Sequence, residues 1–164
     1  MRERSDGQPM KIYCGTDLVE ITRMQGILER QKDAFISRCF TEEEITYCEG
    51  KRTDAARAAS FAARFAAKEA FGKAVGTGVL ADGIGMKDIE TVTDDAGAPS
   101  LRLYGAAKAR AEKLGITSVS VSLTHDGNMA GAVVAMLGSD PARRRIISPK
   151  RKKDFSQASA RRSR

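Results

Sequence analysis

The chain has 164 residues, about one average domain, with 41% hydrophobic and 30% charged residues, 5% aromatics and no Trp. This composition is typical of a soluble globular protein and excludes the fibrous and fully disordered classes. The formal net charge of +7 by itself favours an anionic partner, such as a nucleic acid or an acidic membrane surface.

The position of the charge weakens that inference. Residues 139–164 contain ten Lys or Arg and two Asp, a net charge of +8, so residues 1–138 are close to −1. A nearly neutral body followed by a basic, Ser-rich segment indicates a folded domain with a disordered arm. We predict a flexible leader at 1–10, a domain at 11–138 and a basic, disordered tail at 139–164, with Met10 as an alternative start. The tail is either a solvated arm or an element that attracts an acidic partner.

Neither secretion nor a membrane span is indicated. The longest apolar run, Met129–Leu137, is too short to cross a bilayer, and the leader has no apolar core of a signal peptide. We therefore expect a cytoplasmic protein without membrane contact. Cys14, Cys39 and Cys48 form no CxxC pair and are odd in number, so we expect reduced, buried thiols.

Hydrophobic periodicity and turn residues predict an alternation of strands and helices. A capping box at Thr41 and Glu44 marks one helix start, and Gly115 marks a helix end. In chain order the predicted elements are a strand at Lys11–Asp17, helices at Ile21–Gln31, Thr41–Glu49 and from Thr53 to Gly72 or slightly beyond, strands at Ile89–Thr93 and Pro99–Tyr104, a helix at Tyr104–Leu114, and strands at Ser118–Thr124 and Met129–Leu137.

The long Ala-rich helix has one unusual face. Phe61 and Phe65 are four residues apart, and the same step continues to Glu69 and Lys73. Glu69 and Lys73 form either a solvated ion pair or a polar group placed at a cleft. Lys68 points away from that face, and is either structural or exposed to solvent.

The candidates for chemistry are Asp17 at the end of the first strand, Glu69 and Lys73 on the helix, the Gly76–Gly78 turn, and His125, the only histidine. Two carboxylates with amines and an amide-rich turn suit Mg²⁺ and a phosphorylated substrate. Each residue also has a simpler explanation, since Asp17 could cap a helix, the glycines could end one, and His125 could be a surface residue. Spacing alone does not bring Asp17 and Glu69 together.

Four motifs in order resemble holo-acyl-carrier-protein synthase, the small phosphopantetheinyl transferase family. They are residues 15–20 (GTDLVE) with Arg23, residues 61–74 (FAARFAAKEAFGKA), residues 76–78 (GTG) and residues 122–126 (SLTHD). The resemblance covers about Lys11–Leu137, and the joint occurrence of the four motifs is far more specific than any one of them.

The resemblance implies an enzyme of fatty acid biosynthesis that transfers 4′-phosphopantetheine from coenzyme A to a serine of apo acyl carrier protein, with Mg²⁺, and releases adenosine 3′,5′-bisphosphate. It also implies an α+β fold with a long central helix packed on an antiparallel sheet, in homotrimers with active sites between subunits.

By motif position, Asp17 and Glu69 are expected to bind Mg²⁺, and Lys73 with Gly76, Thr77 and Gly78 to lie along the coenzyme A phosphates. Thr124 and His125 are expected near the adenosine end, Arg64 at the nucleotide 3′-phosphate and Arg23 at the carrier protein. The general base is Glu69, Asp17 or a water, and the sequence does not choose among them.

Two other functions compete with this one. A nucleic-acid-binding protein with a basic tail would explain the net charge, but no element of the body interleaves basic and aromatic residues, which argues against it. A transferase that mainly serves a carrier domain of a polyketide or peptide synthase differs from the first hypothesis only in its acceptor.

Overall fold

The computed structural model describes residues 9–139, and the predictions for most of the leader and the tail lie outside them. The elements are β1 Met10–Glu20, α1 Ile21–Cys39, α2 Glu42–Glu49, α3 Asp54–Ala74, a 3₁₀ turn Met86–Asp88, β2 Ile89–Thr93, β3 Pro99–Leu103, α4 Gly105–Lys113, β4 Ser118–Asp126 and β5 Met129–Ser139. Between residues 9 and 139, no helix combines the length and the apolar character that a membrane span requires.

The strands form two antiparallel sheets. Strands β1, β5 and β4 make a three-stranded sheet with β5 in the centre, and β2 pairs with β3 in a separate hairpin. Because β1 pairs with β5 along its whole length, the first and last described strands of the chain are neighbours. The predicted α+β class with an antiparallel sheet is confirmed, and the division into two sheets was not predicted.

Helix α3 is the centre of the core. It begins after Thr53, whose side chain accepts a hydrogen bond from the amide of Ala56, and its many alanines favour the helix and allow close packing. Phe71 packs with Val134 and Met136 of β5 in one buried cluster, while Phe61 belongs to a second cluster with α1 and α2. The long central helix packed on the sheet is therefore present as predicted.

The start of α2 is set by local contacts, and the start of α1 by a distant turn. The capping box of α2 forms as predicted. The Glu44 amide donates to the Thr41 hydroxyl, and the Thr41 amide donates to the Glu44 carboxylate. Helix α1 has Glu20 as its N-cap, without a side-chain cap hydrogen bond. The amides of Ile21 and Thr22 donate to the backbone and side-chain oxygens of Asn128 in the β4–β5 turn. The predicted end of this helix at Gln31 is a break with non-helical backbone, after which α1 continues to Cys39.

One sheet face packs on α3 and the other is open. We define the open sheet face as Ile12, Cys14, Leu18, Val133, Ala135 and Leu137. These exposed side chains alternate with buried residues along β1 and β5. Ile12 is 73% exposed and Leu18 is 65% exposed. Cys39 and Cys48 are buried thiols as predicted, but the prediction is wrong for Cys14, which the strand alternation turns to this open face.

Candidate active site

The crossing of β1 over α3 brings together residues that are far apart in sequence. The Lys73 ammonium donates to Asp17 Oδ1 at 2.7 Å and to the Thr16 carbonyl oxygen at 3.1 Å. Asp17 and Glu69 are near enough for their charges to interact. The structure therefore joins Asp17, Glu69 and Lys73, as the motifs predicted.

Two simpler explanations of these residues are wrong. Asp17 does not cap a helix, because it lies within β1 and its carboxylate accepts from Lys73. The hydrogen-bonded ion pair of Lys73 is with Asp17 and not with its helical neighbour Glu69, so the local i, i+4 pair is replaced by a tertiary one.

Gly15 makes this crossing possible. A Cβ atom placed on Gly15 would lie 2.1 Å from the Ala70 carbonyl oxygen and 2.7 Å from the Ala74 amide nitrogen. The strand thus approaches the helix backbone itself, between the turns that carry Glu69 and Lys73. Only a residue without a side chain permits this approach, and Asp17 follows two residues later on the same strand.

Glu69 is the carboxylate with the most perturbed environment at this crossing. Burial raises the pKa of Glu69, the nearby Asp17 carboxylate raises it further, and Lys73 partly opposes both. Two carboxylates have therefore been brought together against their mutual repulsion, with one amine as partial compensation. Such an arrangement is typical of a site that binds a cation or handles a proton.

Lys68 is not exposed. Its side chain is fully buried and its ammonium donates to Glu44 Oε2 at 2.6 Å and to the backbone carbonyl oxygens of Met86 and Ile89. The structural alternative for Lys68 is therefore the one observed, and the solvent-exposed alternative is wrong.

A pocket of about 320 Å³ lies alongside the earlier turns of α3. It is lined by three basic side chains, Lys51, Arg64 and His125, together with Tyr47, Ser60, Thr124 and several apolar residues. Arg64, Thr124 and His125 were predicted from different motifs, and the structure brings them into one pocket.

Arg64 of this pocket has three side-chain contacts. Its guanidinium donates to the Ser60 hydroxyl at 3.0 Å and to the Thr93 hydroxyl at 3.0 Å, and it lies 3.9 Å from the centre of the Tyr47 ring. Lys51 lies 3.8 Å from the centre of the same ring. A hydrogen bond from Lys51 lowers the pKa of the Tyr47 hydroxyl.

The Gly76–Gly78 segment ends α3. The amides of Gly76 and Gly78 donate to the carbonyl oxygens of Lys73 and Gly72, and both glycines have a φ close to +80° that favours glycine. The helix-end explanation is thus observed, and contact of this turn with phosphates stays a prediction.

Two further residues lie where a ligand or partner can reach them. His125 is exposed near the end of β4, paired with Ala130, and so belongs to the strand rather than to the turn. Arg23 is exposed on α1, away from the pocket lining.

Sequence reasoning missed Tyr47, Lys51 and Thr93. They lie on α2, just after it, and on β2, and nothing in their local spacing links them to Arg64. The tertiary fold alone places them around one guanidinium.

Comparison with known proteins identifies the family. A sequence model of the 4′-phosphopantetheinyl transferase superfamily matches residues 13–134, and this chain belongs to that superfamily. The family predicted from the four motifs is therefore confirmed, as is the expectation that the chain is an enzyme, a phosphopantetheinyl transferase.

Its relatives point to one member of the superfamily. A holo-[acyl-carrier-protein] synthase of Syntrophus aciditrophicus is 48% identical over 76% of this chain and 94% of the relative. One of Geobacter sp. (strain M21) is 44% identical over 74% of this chain and 94% of the relative.

A solved structure supports the same likeness. The holo-[acyl-carrier-protein] synthase of Helicobacter pylori in complex with coenzyme A has a TM-score of 0.65 and 32% identity, over 75% of this chain and 98% of that one.

Proposed function

We propose that this chain transfers the 4′-phosphopantetheine group of coenzyme A to a serine hydroxyl of apo acyl carrier protein, a step of fatty acid biosynthesis, and releases adenosine 3′,5′-bisphosphate. The observation that carries the proposal is that Asp17 of β1 meets Glu69 and Lys73 of α3. Earlier turns of the same helix line a pocket with basic side chains. The name shared by its relatives and the coenzyme A complex of the Helicobacter pylori protein support the same donor and acceptor.

Asp17 and Glu69 fit a magnesium ion. Within residues 9–139, no three side chains of the His, Cys, Asp and Glu types come together as a metal cage. Two carboxylates without a third ligand suit Mg²⁺, which takes one or two protein carboxylates and completes its octahedron with water and phosphate oxygens. The raised pKa of Glu69 indicates a carboxylate that a cation would stabilise in its charged form. When bound, Mg²⁺ would neutralise the charge of the diphosphate.

Lys73 and Glu69 supply the remaining chemistry. The Lys73 ammonium is half exposed and ends at Asp17, so it can approach a phosphate while one carboxylate keeps it in place. There it stabilises the negative charge that develops on the departing nucleotide phosphate. Glu69, whose pKa is raised by burial and by the nearby Asp17 carboxylate, accepts the proton of the attacking serine, directly or through a water.

The pocket suits the nucleotide end of coenzyme A. Arg64 and Lys51 provide positive charge for the 3′-phosphate, and Thr124 and His125 of β4 also line the pocket. From Arg64 to Glu69 the helix rises about 7.5 Å, so one helix presents both the nucleotide pocket and the carboxylates. We therefore place the adenosine at the pocket and the diphosphate nearer to Glu69 and Lys73.

The open sheet face supports the homotrimer. Its large apolar residues Ile12, Leu18, Val133 and Leu137 are each at least 39% exposed, and Ile12 pairs with Leu137 across β1 and β5, while Leu18 lies opposite Gly131 and Val133 opposite Thr16. An apolar sheet face of this kind is usually covered by another layer. In our proposal the same face of two other copies covers it, and neighbouring subunits complete each active site.

Arg23 faces outward on α1, so it is free to contact an acidic carrier protein. Such a contact changes the rate of encounter more than the chemistry, and its effect decreases as salt rises.

The direct test is a mass measurement. Apo acyl carrier protein incubated with coenzyme A and this protein should gain the mass of one phosphopantetheine group, and a chelator should abolish the gain. Absence of the gain with several apo carriers and added Mg²⁺ would refute the proposed activity. Comparison of the rates with a fatty acid carrier and with a polyketide or peptide synthase carrier domain identifies the main acceptor.

A further inference from the structure

The proposed reaction does not use Lys68, although Lys68 directly precedes Glu69 and has the most completely paired charge in the core. Its ammonium has three donors, and the three acceptors are Glu44 Oε2, the Met86 carbonyl oxygen and the Ile89 carbonyl oxygen. Burial lowers the pKa of Lys68, and the Glu44 carboxylate opposes that shift. The pair is fully enclosed, since neither side chain is exposed at all.

Glu44 extends this contact to two more elements. Its Oε2 accepts the amide of Thr41 at the start of α2, and its Oε1 accepts the amide of Thr91 on β2 at 3.0 Å. We call Lys68, Glu44 and the Thr91 amide the lower layer. It joins α3, α2 and β2 at a single point.

The same three elements meet again at the pocket. Arg64 is four residues before Lys68 on α3, Tyr47 is three residues after Glu44 on α2, and Thr93 is two residues after Thr91 on β2. These spacings put each residue on the same face as its counterpart in the lower layer. Arg64 is in contact with both Tyr47 and Thr93. The pocket corner and the lower layer are therefore built from the same three elements.

We propose that Lys68 is a positioning residue for coenzyme A binding: through Glu44 it holds α2 and β2 in the register at which Tyr47 and Thr93 orient Arg64 beneath the nucleotide. A buried ion pair contributes little net stability compared with apolar residues of similar size, so its value here is a fixed geometry. The inference rests on the assignment of this pocket to the nucleotide end of coenzyme A.

The test is a charge-neutral double variant of the full chain, Glu44→Gln with Lys68→Met. Removal of Lys68 alone would leave a buried, unpaired carboxylate and risks unfolding, whereas the double variant removes both charges and keeps an amide oxygen as acceptor. Binding of adenosine 3′,5′-bisphosphate is measured by calorimetry, well below the melting temperature of each variant. Transfer kinetics are measured on the same samples. Val134→Ala, a buried change on β5, serves as the control for loss of stability alone.

The nucleotide Kd and the KM for coenzyme A of the double variant should rise on the order of tenfold, as is typical for loss of a supporting partner, while the KM for the carrier protein stays unchanged. Val134→Ala should melt earlier with an unchanged nucleotide Kd. An unchanged Kd in the double variant would overturn the inference.

A second variant separates this inference from the pocket assignment. Lys51→Ala removes a charge from the pocket lining without a change in the core, and it should weaken nucleotide binding. Loss of binding in Lys51→Ala with wild-type binding in the double variant would refute the role of Lys68 alone. Wild-type binding in both variants would refute the pocket assignment as well.

Discussion

Substitution of Gly15 by Ala should inactivate the enzyme by moving one strand. The added Cβ would lie 2.1 Å from the Ala70 carbonyl oxygen, whereas ordinary contact begins at 3.4 Å. Because the obstacle is helix backbone, a side-chain rotation cannot relieve it, and β1 must retreat by about 1.3 Å. If Asp17 moves with the strand, its 2.7 Å contact with Lys73 lengthens to about 4 Å, beyond a hydrogen bond.

A displacement of about 1 Å at reacting groups costs on the order of 100-fold in rate, so we expect a loss of that size in kcat/KM. The crowding itself should lower the free energy of unfolding by about 1–3 kcal/mol. Rates come from the mass-shift assay with apo carrier protein, and stability from thermal unfolding.

Gly85→Ala is the matched control for this substitution. It is the same change at a glycine whose added Cβ would meet its nearest atom at 3.7 Å, and it should keep wild-type activity. Wild-type kcat/KM in Gly15→Ala would refute the argument that close approach of β1 to α3 assembles the site. Equal losses in both variants would also refute it.

The remaining predictions concern charge, assembly and the tail. Glu69→Gln should abolish the mass gain while the protein stays folded; wild-type activity would refute its role at the metal. The pKa of Glu69 is raised in the folded protein, so ionisation of Glu69 lowers the free energy of unfolding at pH values above that pKa and has no effect below the ordinary value of about 4.3. Without metal, Glu69→Gln should therefore melt at a higher temperature than wild type near neutral pH and at the same temperature at acid pH. Added Mg²⁺ should raise the melting temperature of the wild type more than that of the variant. Leu18→Asp should convert a trimer to monomers by light scattering, whereas Lys108→Asp on the exposed surface of α4 should not. A trimer in Leu18→Asp would refute the proposed interface. Truncation after Gly138 should leave kcat unchanged and change the KM for the acidic carrier only at low salt. If the same truncation abolished a salt-sensitive binding of DNA, that result would favour the nucleic-acid alternative.

The family and the order of the elements follow from the sequence, whereas the roles of the named site residues stay predictions. The capping box at Thr41 and Glu44 formed as predicted, because capping depends on residues within one turn. The four motifs were sufficient for the family, since their joint occurrence in order is specific. The break at Gln31 was located as a helix end, although the helix resumes beyond it.

Which charges meet depends on how the elements pack. The i, i+4 spacing favoured a Glu69–Lys73 pair, but the close approach of β1 at Gly15 gave Lys73 a partner 56 residues away, Asp17. Lys68 looked structural or exposed in sequence and is a buried ion-pair member, because its acceptors come from other elements. Periodicity reports which face of an element is apolar, and the partner across that face depends on how the elements pack.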